Sequence, residues 1–236
     1  MEQQALYMDN SYLQEFEATV ESIKDEKYAI LDRTAFYPVS GGVACDVGIL
    51  IKSNEEFSVV HVKKLDGQIS HEVSKPGLRQ GDKVIGKINW ERRYKLMRLH
   101  TTAHLLAAIM RNKAGALITG NQIELEKARM DFSLEQFDRA EIDNHIKLAD
   151  SLAAKGAAVK VSYMKREEAL KIPDMVKLAN KMPPNVDIFR IVEIEGIDKQ
   201  ADGGCHVKNI KEIGKIQLVN LENKGKSNRR LYFMVS

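Results

Sequence analysis

Up to about Asn89 the chain is built from short runs in which apolar and polar positions alternate or apolar positions cluster. Phe16 to Ile23 alternates loosely, Tyr28 to Leu31 and Val47 to Ile51 are apolar, and Phe57 to Val62 alternates again. Turn-forming clusters separate them: Lys24-Asp25-Glu26, Ser40-Gly41-Gly42, Ser53-Asn54, Asp66-Gly67 and Pro76-Gly77. Closely spaced short strands with such punctuation predict a small β-barrel.

The period changes at Trp90. From Glu91 to about Lys113 no proline or glycine intervenes, and Leu96, Leu99, Ala103, Leu106 and Met110 recur at helical spacing. Gly115 and Gly120 close this helix, and a strand is expected over Leu125 to Phe132. A second helix is expected from Leu134 to Lys155, opened by Ser133, with Glu135 and Asp138 near its positive end. Val159 to Met164 alternates like a strand, with Val159, Val161 and Tyr163 on one face. Glu167 to Leu170 reads as a short helix and Pro183-Pro184 as a loop. Strands are expected over Ile188 to Ile194, Gly214 to Leu221 and Leu231 to Val235. The pattern therefore predicts an α+β chain: a small β-barrel over residues 1–89, then an α+β domain over 90–236.

Composition changes this picture little. The 236 residues, 44% hydrophobic and 29% charged, can bury a core and are not those of a disordered chain. No run of apolar residues is long enough for a membrane span, the N-terminus has no signal-peptide core, and two cysteines imply no disulfide framework; a cytoplasmic location is expected. The net charge of +3 does not establish a nucleic-acid partner. From Val207 onward, however, Lys208, Lys211, Lys215, Lys224, Lys226, Arg229 and Arg230 face only Glu212 and Glu222, a tail able to meet phosphates or simply a solvated basic face.

Candidate chemistry starts at His100-Thr101-Thr102-Ala103-His104. Histidines four apart lie one turn above the other on a helix, so both imidazoles reach one metal ion. One core histidine beside one exposed histidine is the plainer alternative. Far along the chain, Asp202-Gly203-Gly204-Cys205-His206 crowds three more candidate ligands into a turn that glycine keeps tight. An ordinary polar loop would explain that segment alone; the two together predict a histidine-rich zinc site. A third segment, Thr34 to Gly42 continuing to Asp46 and Gly48, is a strand running into a glycine-rich loop. It is not a dinucleotide fingerprint, and a barrel turn explains it equally well.

Taken together, FYPVSGG, HTTAH and DGGCHVKNIKEIG, in this order, resemble the AlaX family, free-standing relatives of the alanyl-tRNA synthetase editing domain, over about Thr34 to Gly214. The resemblance to medium-length members implies a β-barrel joined to a zinc-dependent editing domain. It implies an aminoacyl-tRNA deacylase that acts in trans on tRNA(Ala) carrying serine, with glycine as a further target. It places His100, His104 and His206 as zinc ligands. The family's fourth ligand is a cysteine four residues before the last histidine; here that position is Asp202, and Cys205 stands beside His206. The fourth position stays open between Asp202, Cys205 and water. Gly41, Gly42 and Asp46 are expected to contact substrate, and Thr101 and Thr102 to stand close to the reacting ester. Two rivals remain. A zinc peptidase or esterase lacks support because Thr101 occupies the place of the HExxH glutamate. An RNA-binding module with structural zinc would use more cysteine.

Overall fold

The computed structural model describes residues 3–136, 138–172, 175 and 186–236. The expected loop at Pro183-Pro184 lies outside them. The chain divides into two compact units, Met1–Leu96 and Met97–Ser236.

In the first unit, β1 (Gln4–Ala5) pairs in parallel with β4 (Arg33–Thr34). The remaining strands are β2 (Glu15–Lys24), β3 (Tyr28–Leu31), β5 (Gly48–Lys52), β6 (Glu55–Leu65), β7 (Gln68–Val73) and β8 (Lys83–Ile88). They close an antiparallel barrel in the order β2-β3-β7-β6-β5-β8. Phe16, Ala18 and Val20 of β2 point inward together with Leu31, Leu50, Phe57, Val59, Val62 and Val84, the alternation that a half-buried strand requires. Closure needs glycine at the tightest crossing. A Cβ on Gly86 would lie 2.4 Å from the Phe16 ring, so β8 passes β2 only because that position is bare. The strands β7 and β8 extend the sequence-based expectation, which stopped at the turns on either side of them.

The glycine-rich segment forms a tight turn in this unit. Ser40 and Val43 bridge it, and Gly41 and Gly42 occupy left-handed backbone at φ of 58° and 81°. Asp46, expected at the substrate, is instead buried. Its carboxylate forms a bidentate pair with Arg93, whose Nε lies 2.9 and 3.0 Å from the two oxygens, and it accepts from the Tyr37 amide at 2.6 Å. With both oxygens engaged inside the unit, Asp46 is a structural clamp.

Helix α1 (Trp90–Ala114) runs out of the first unit into the second. Its apolar spacing predicts one buried face, yet from Leu99 to Met110 every residue is buried, His100, Thr101, Thr102 and His104 included. The helix is enclosed on all sides, so its polar residues must find partners inside. Strands β9 (Ile118–Ile123) and β10 (Ala128–Phe132) follow, then α2 (Arg139–Lys155), β11 (Val159–Lys165), α3 (Arg166–Ala169), β12 (Ile188–Ile194), β13 (Asp198–Ala201), β14 (Ile216–Asn223) and β15 (Arg229–Val235). One antiparallel sheet has the order β14-β15-β10-β9, the other β11-β12-β13. Helix α2 starts later than Ser133 suggests. Its N-cap is Asp138, whose side chain accepts from the Ala140 amide at 2.8 Å, while Ser133 bonds the Leu117 amide at 2.9 Å. Strand β9 lies where the sequence suggests only a helix end; Thr119, Gly120, Asn121 and Gln122 have no strand pattern, and pairing with β10 imposes it. No helix among the described residues is long and apolar enough to cross a membrane.

Candidate metal centre

The register of the three-stranded sheet builds one wall of the site. Asp198 and Gln200 alternate along β13, and the strand's pairing continues to Asp202, whose amide donates to the Arg190 carbonyl of β12 at 3.0 Å. Strand period two puts Asp198, Gln200 and Asp202 on one face. Helix α1 offers His100 and His104 from successive turns, and the turn after β13 brings in His206.

Among the described residues, His100, His104, Asp202 and His206 have their ligand atoms all within 4.8 Å of one another. Asp202 Oδ2 lies 3.7 Å from His100 Nε2 and 3.8 Å from His104 Nε2, and Asp202 Oδ1 lies 3.2 Å from His206 Nε2. Four ligands around a tetrahedral zinc with bonds of about 2.0–2.1 Å stand roughly 3.3–3.4 Å apart, which these separations straddle. All three rings turn Nε2 inward, and each Nδ1 meets an oxygen. His100 Nδ1 lies 3.4 Å from the Cys205 carbonyl, His206 Nδ1 lies 3.1 Å from Thr101 Oγ1, and His104 Nδ1 lies 3.3 Å from Asp198 Oδ2. Gln200 Nε2 donates to the same Asp198 Oδ2 at 3.1 Å and lies 2.7 Å from His104 Nδ1. A proton on Nδ1 of each ring leaves the Nε2 lone pairs to a metal, the arrangement a ligand needs; at His104 this tautomer makes Asp198, and not the Gln200 NH2, the partner of Nδ1.

Electrostatics agree with the donor set. Burial, reinforced by the neighbouring imidazole His104, lowers His100 to about 4 although Asp202 opposes it. Burial and the two facing imidazoles hold His206 well below the usual histidine range. Burial alone would raise Asp202, but the three histidines around it outweigh this and keep it well below its ordinary value. Neutral imidazoles facing an ionised carboxylate fit a divalent cation. The histidine side chains are at most 7% exposed while that of Asp202 is 23% exposed, so the cluster reaches solvent on the carboxylate side.

Cys205 lies outside the ligand group; its backbone carbonyl, not its sulfur, faces His100. Thr102 back-bonds to the Arg98 carbonyl at 2.8 Å inside the helix. Thr101 also accepts from the Val207 amide at 3.3 Å, so its hydroxyl joins the ligand-bearing turn to the helix. Both threonines are wholly buried. Asp198 and Gln200 are absent from the sequence-based expectation. The signal that finds them is the alternation Asp198, Gln200, Asp202 running into the metal-ligating turn.

Comparison with known proteins settles the family. Residues 1–92 match the family of tRNA synthetases class II (A), and residues 189–232 match the threonyl and alanyl tRNA synthetase second additional domain. The alanyl-tRNA editing protein AlaX-M of Saccharolobus solfataricus is 48% identical, with 98% of each chain covered. AlaX-M of Methanosarcina barkeri is 46% identical, again over 98% of each chain. This chain belongs to the AlaX family. Alanine–tRNA ligase of Methanococcus vannielii is 38% identical over 92% of this chain, which corresponds to 24% of the ligase. AlaX proteins thus share this pair of units with a segment of a much longer synthetase.

Proposed function

We propose that this protein hydrolyses the ester of tRNA(Ala) wrongly charged with serine, and also with glycine, acting in trans in the cytoplasm, with zinc held by His100, His104, His206 and Asp202. The observation that carries the reading is the convergence of three imidazole Nε2 atoms and one carboxylate at a solvent-reaching point, in a chain whose relatives are named alanyl-tRNA editing proteins. When bound, zinc would supply a Lewis acid able to orient and polarise a substrate oxygen by expanding its coordination beyond these four residues. The chain's own residues do the rest. Lowered pKa values keep His100 and His206 unprotonated as ligands, Asp202 offsets cationic charge, and Asp198, Thr101 and the Cys205 carbonyl fix the rings through Nδ1. An oxygen ligand in place of a sulfur leaves the centre more electrophilic, since a carboxylate donates less charge than a thiolate.

The need for such a reaction follows from small energies. One methyl group or hydroxyl shifts binding by only about 1–3 kcal/mol, so a synthetase cannot exclude serine and glycine by fit alone, and a second site must remove the errors. The test is deacylation of Ser-, Gly- and Ala-tRNA(Ala) with and without a chelator, beside His104→Ala. Loss of Ser-tRNA(Ala) hydrolysis in both metal-deprived arms, with Ala-tRNA(Ala) spared throughout, is expected. Equal cleavage of all three, or full activity without metal, refutes the reading.

A further inference from the structure

On the face of the β11-β12-β13 sheet that carries Asp198, Gln200 and Asp202, the cross-strand rows continue away from the metal centre to strand β11. Val161 pairs with Val192, which pairs with Gln200; Tyr163 pairs with Arg190, whose carbonyl receives the Asp202 amide. Residues directly opposite in antiparallel strands point to the same side. Tyr163, Arg190 and Asp202 therefore form one row, with Tyr163 two strand spacings, roughly 10 Å, from the ligand-bearing residue. The row changes character along its length. Arg190 and Val192 are buried, at 5% and 0% exposure, and the Arg190 guanidinium grips the Asp202 carbonyl at 2.9 Å. Tyr163 is 52% exposed and Val161 41% exposed, at the rim of the same face. Lys165 continues the face of Val161 and Tyr163 along β11, whereas Lys160 is on the other face, paired with Glu195 at 2.7 Å, and Glu167 and Glu168 follow in α3.

We infer that Tyr163, with Val161 beside it, is a stacking platform for the terminal nucleobase of the substrate, and that Lys165 meets the phosphate behind it. The inference rests on the aminoacyl-tRNA reading above. An ester held at Asp202 and the histidines has its nucleoside attached, and the base must lie about one nucleoside's length away. The sheet offers an exposed aromatic ring at that distance, on the same face, with Lys165 one strand repeat further along. Tyrosine suits the task because its ring presents a flat apolar face while its hydroxyl stays wet. Base–aromatic stacking contributes about 1–3 kcal/mol per base, which is a 5- to 150-fold effect on binding.

The experiment uses tRNA(Ala) whose terminal adenine is replaced by the fluorescent analogue 2-aminopurine, bound to the metal-loaded protein. Wild type is expected to alter the fluorescence as the base leaves its solution stacking for the tyrosine ring. Tyr163→Ala is expected to lose that change and to raise KM for Ser-tRNA(Ala) 5- to 150-fold with kcat held. Tyr163→Trp keeps both signals, and His104→Ala abolishes hydrolysis while the fluorescence change persists. Circular dichroism of each variant reports folding. If wild type deacylates Ser-tRNA(Ala) and Tyr163→Ala, folded, matches it in KM and fluorescence, the platform is refuted and the editing reading stands. If wild type neither binds nor deacylates any aminoacyl-tRNA(Ala), both fall together. A wild-type dimer that Tyr163→Ala converts to a monomer assigns the ring to pairing between β11 edges of two copies and overturns the inference.

Discussion

Gly204 lets steric closeness at the metal centre be tested apart from backbone strain. Its backbone is one that other residues adopt, yet a Cβ there would stand 2.4 Å from His100 Cε1, 2.7 Å from His100 Nδ1 and 2.9 Å from Asp202 Oδ1. Gly203, one residue away in the same turn, has nothing within 4 Å of the same added atom. Alanine at 204 must therefore displace the His100 ring or the turn by about 1 Å to restore ordinary contact, and a constellation of this kind tolerates about 0.5 Å. Ligand distances beyond about 0.2 Å from their preferred values already weaken a metal site. The Gly204→Ala protein is expected to fold, at a cost of about 1–3 kcal/mol for the overpacked contact. Its zinc affinity should fall by at least ten- to a hundredfold, the scale seen when ligand orientation is lost. The assay is competition with a chromophoric chelator, beside metal stoichiometry and thermal melts with and without zinc; Gly203→Ala is the control and should match wild type in all three. Wild-type affinity in Gly204→Ala, or an equal loss in Gly203→Ala, would show that close packing of the turn against His100 does not set the site.

Other expectations follow from the same contacts. Asp198→Ala and Thr101→Val each remove an acceptor at an imidazole Nδ1, so zinc affinity should drop about 10- to 100-fold with folding kept; unchanged chelator competition would exclude an orienting role. Asp46→Ala strands the Arg93 guanidinium inside the first unit and should destabilise it by about 3–5 kcal/mol, read from urea denaturation. His71 is buried and neutral, its Nδ1 donating to the Ala29 carbonyl at 3.0 Å and its Nε2 accepting from Thr34 at 2.8 Å, and burial lowers its pKa to about 4. Because the folded pKa lies below the unfolded one, this contribution is complete above about pH 6.5 and lost as pH falls toward 4. It amounts to about 3 kcal/mol, and His71→Gln should flatten that part of the stability profile relative to wild type; parallel profiles would refute it.

Much of the architecture lies in local pattern. Alternation marked β2 and β6, and short apolar runs between turn signals marked β3 and β5, closely enough for a barrel to be expected. The His100–His104 spacing declared a shared helix face, and the crowded turn at Asp202 to His206 declared candidate ligands, since both depend on residues adjacent or one turn apart. What the sequence left open was decided by elements brought together from far away. Choosing Asp202 over Cys205 depends on which side chain of one turn faces Nε2 atoms on α1. The roles of Thr101 with His206 and of Gln200 with His104 join residues 105 and 96 positions apart. The burial of Asp46 depends on Arg93, 47 positions along, for the same reason. Strand β9 exists because β10 pairs with it, not because its residues prefer extension. Periodicity is a property of neighbours along the chain and is written into the order of residues; the partner of a buried polar group is a property of neighbours in space and appears only when the chain has folded.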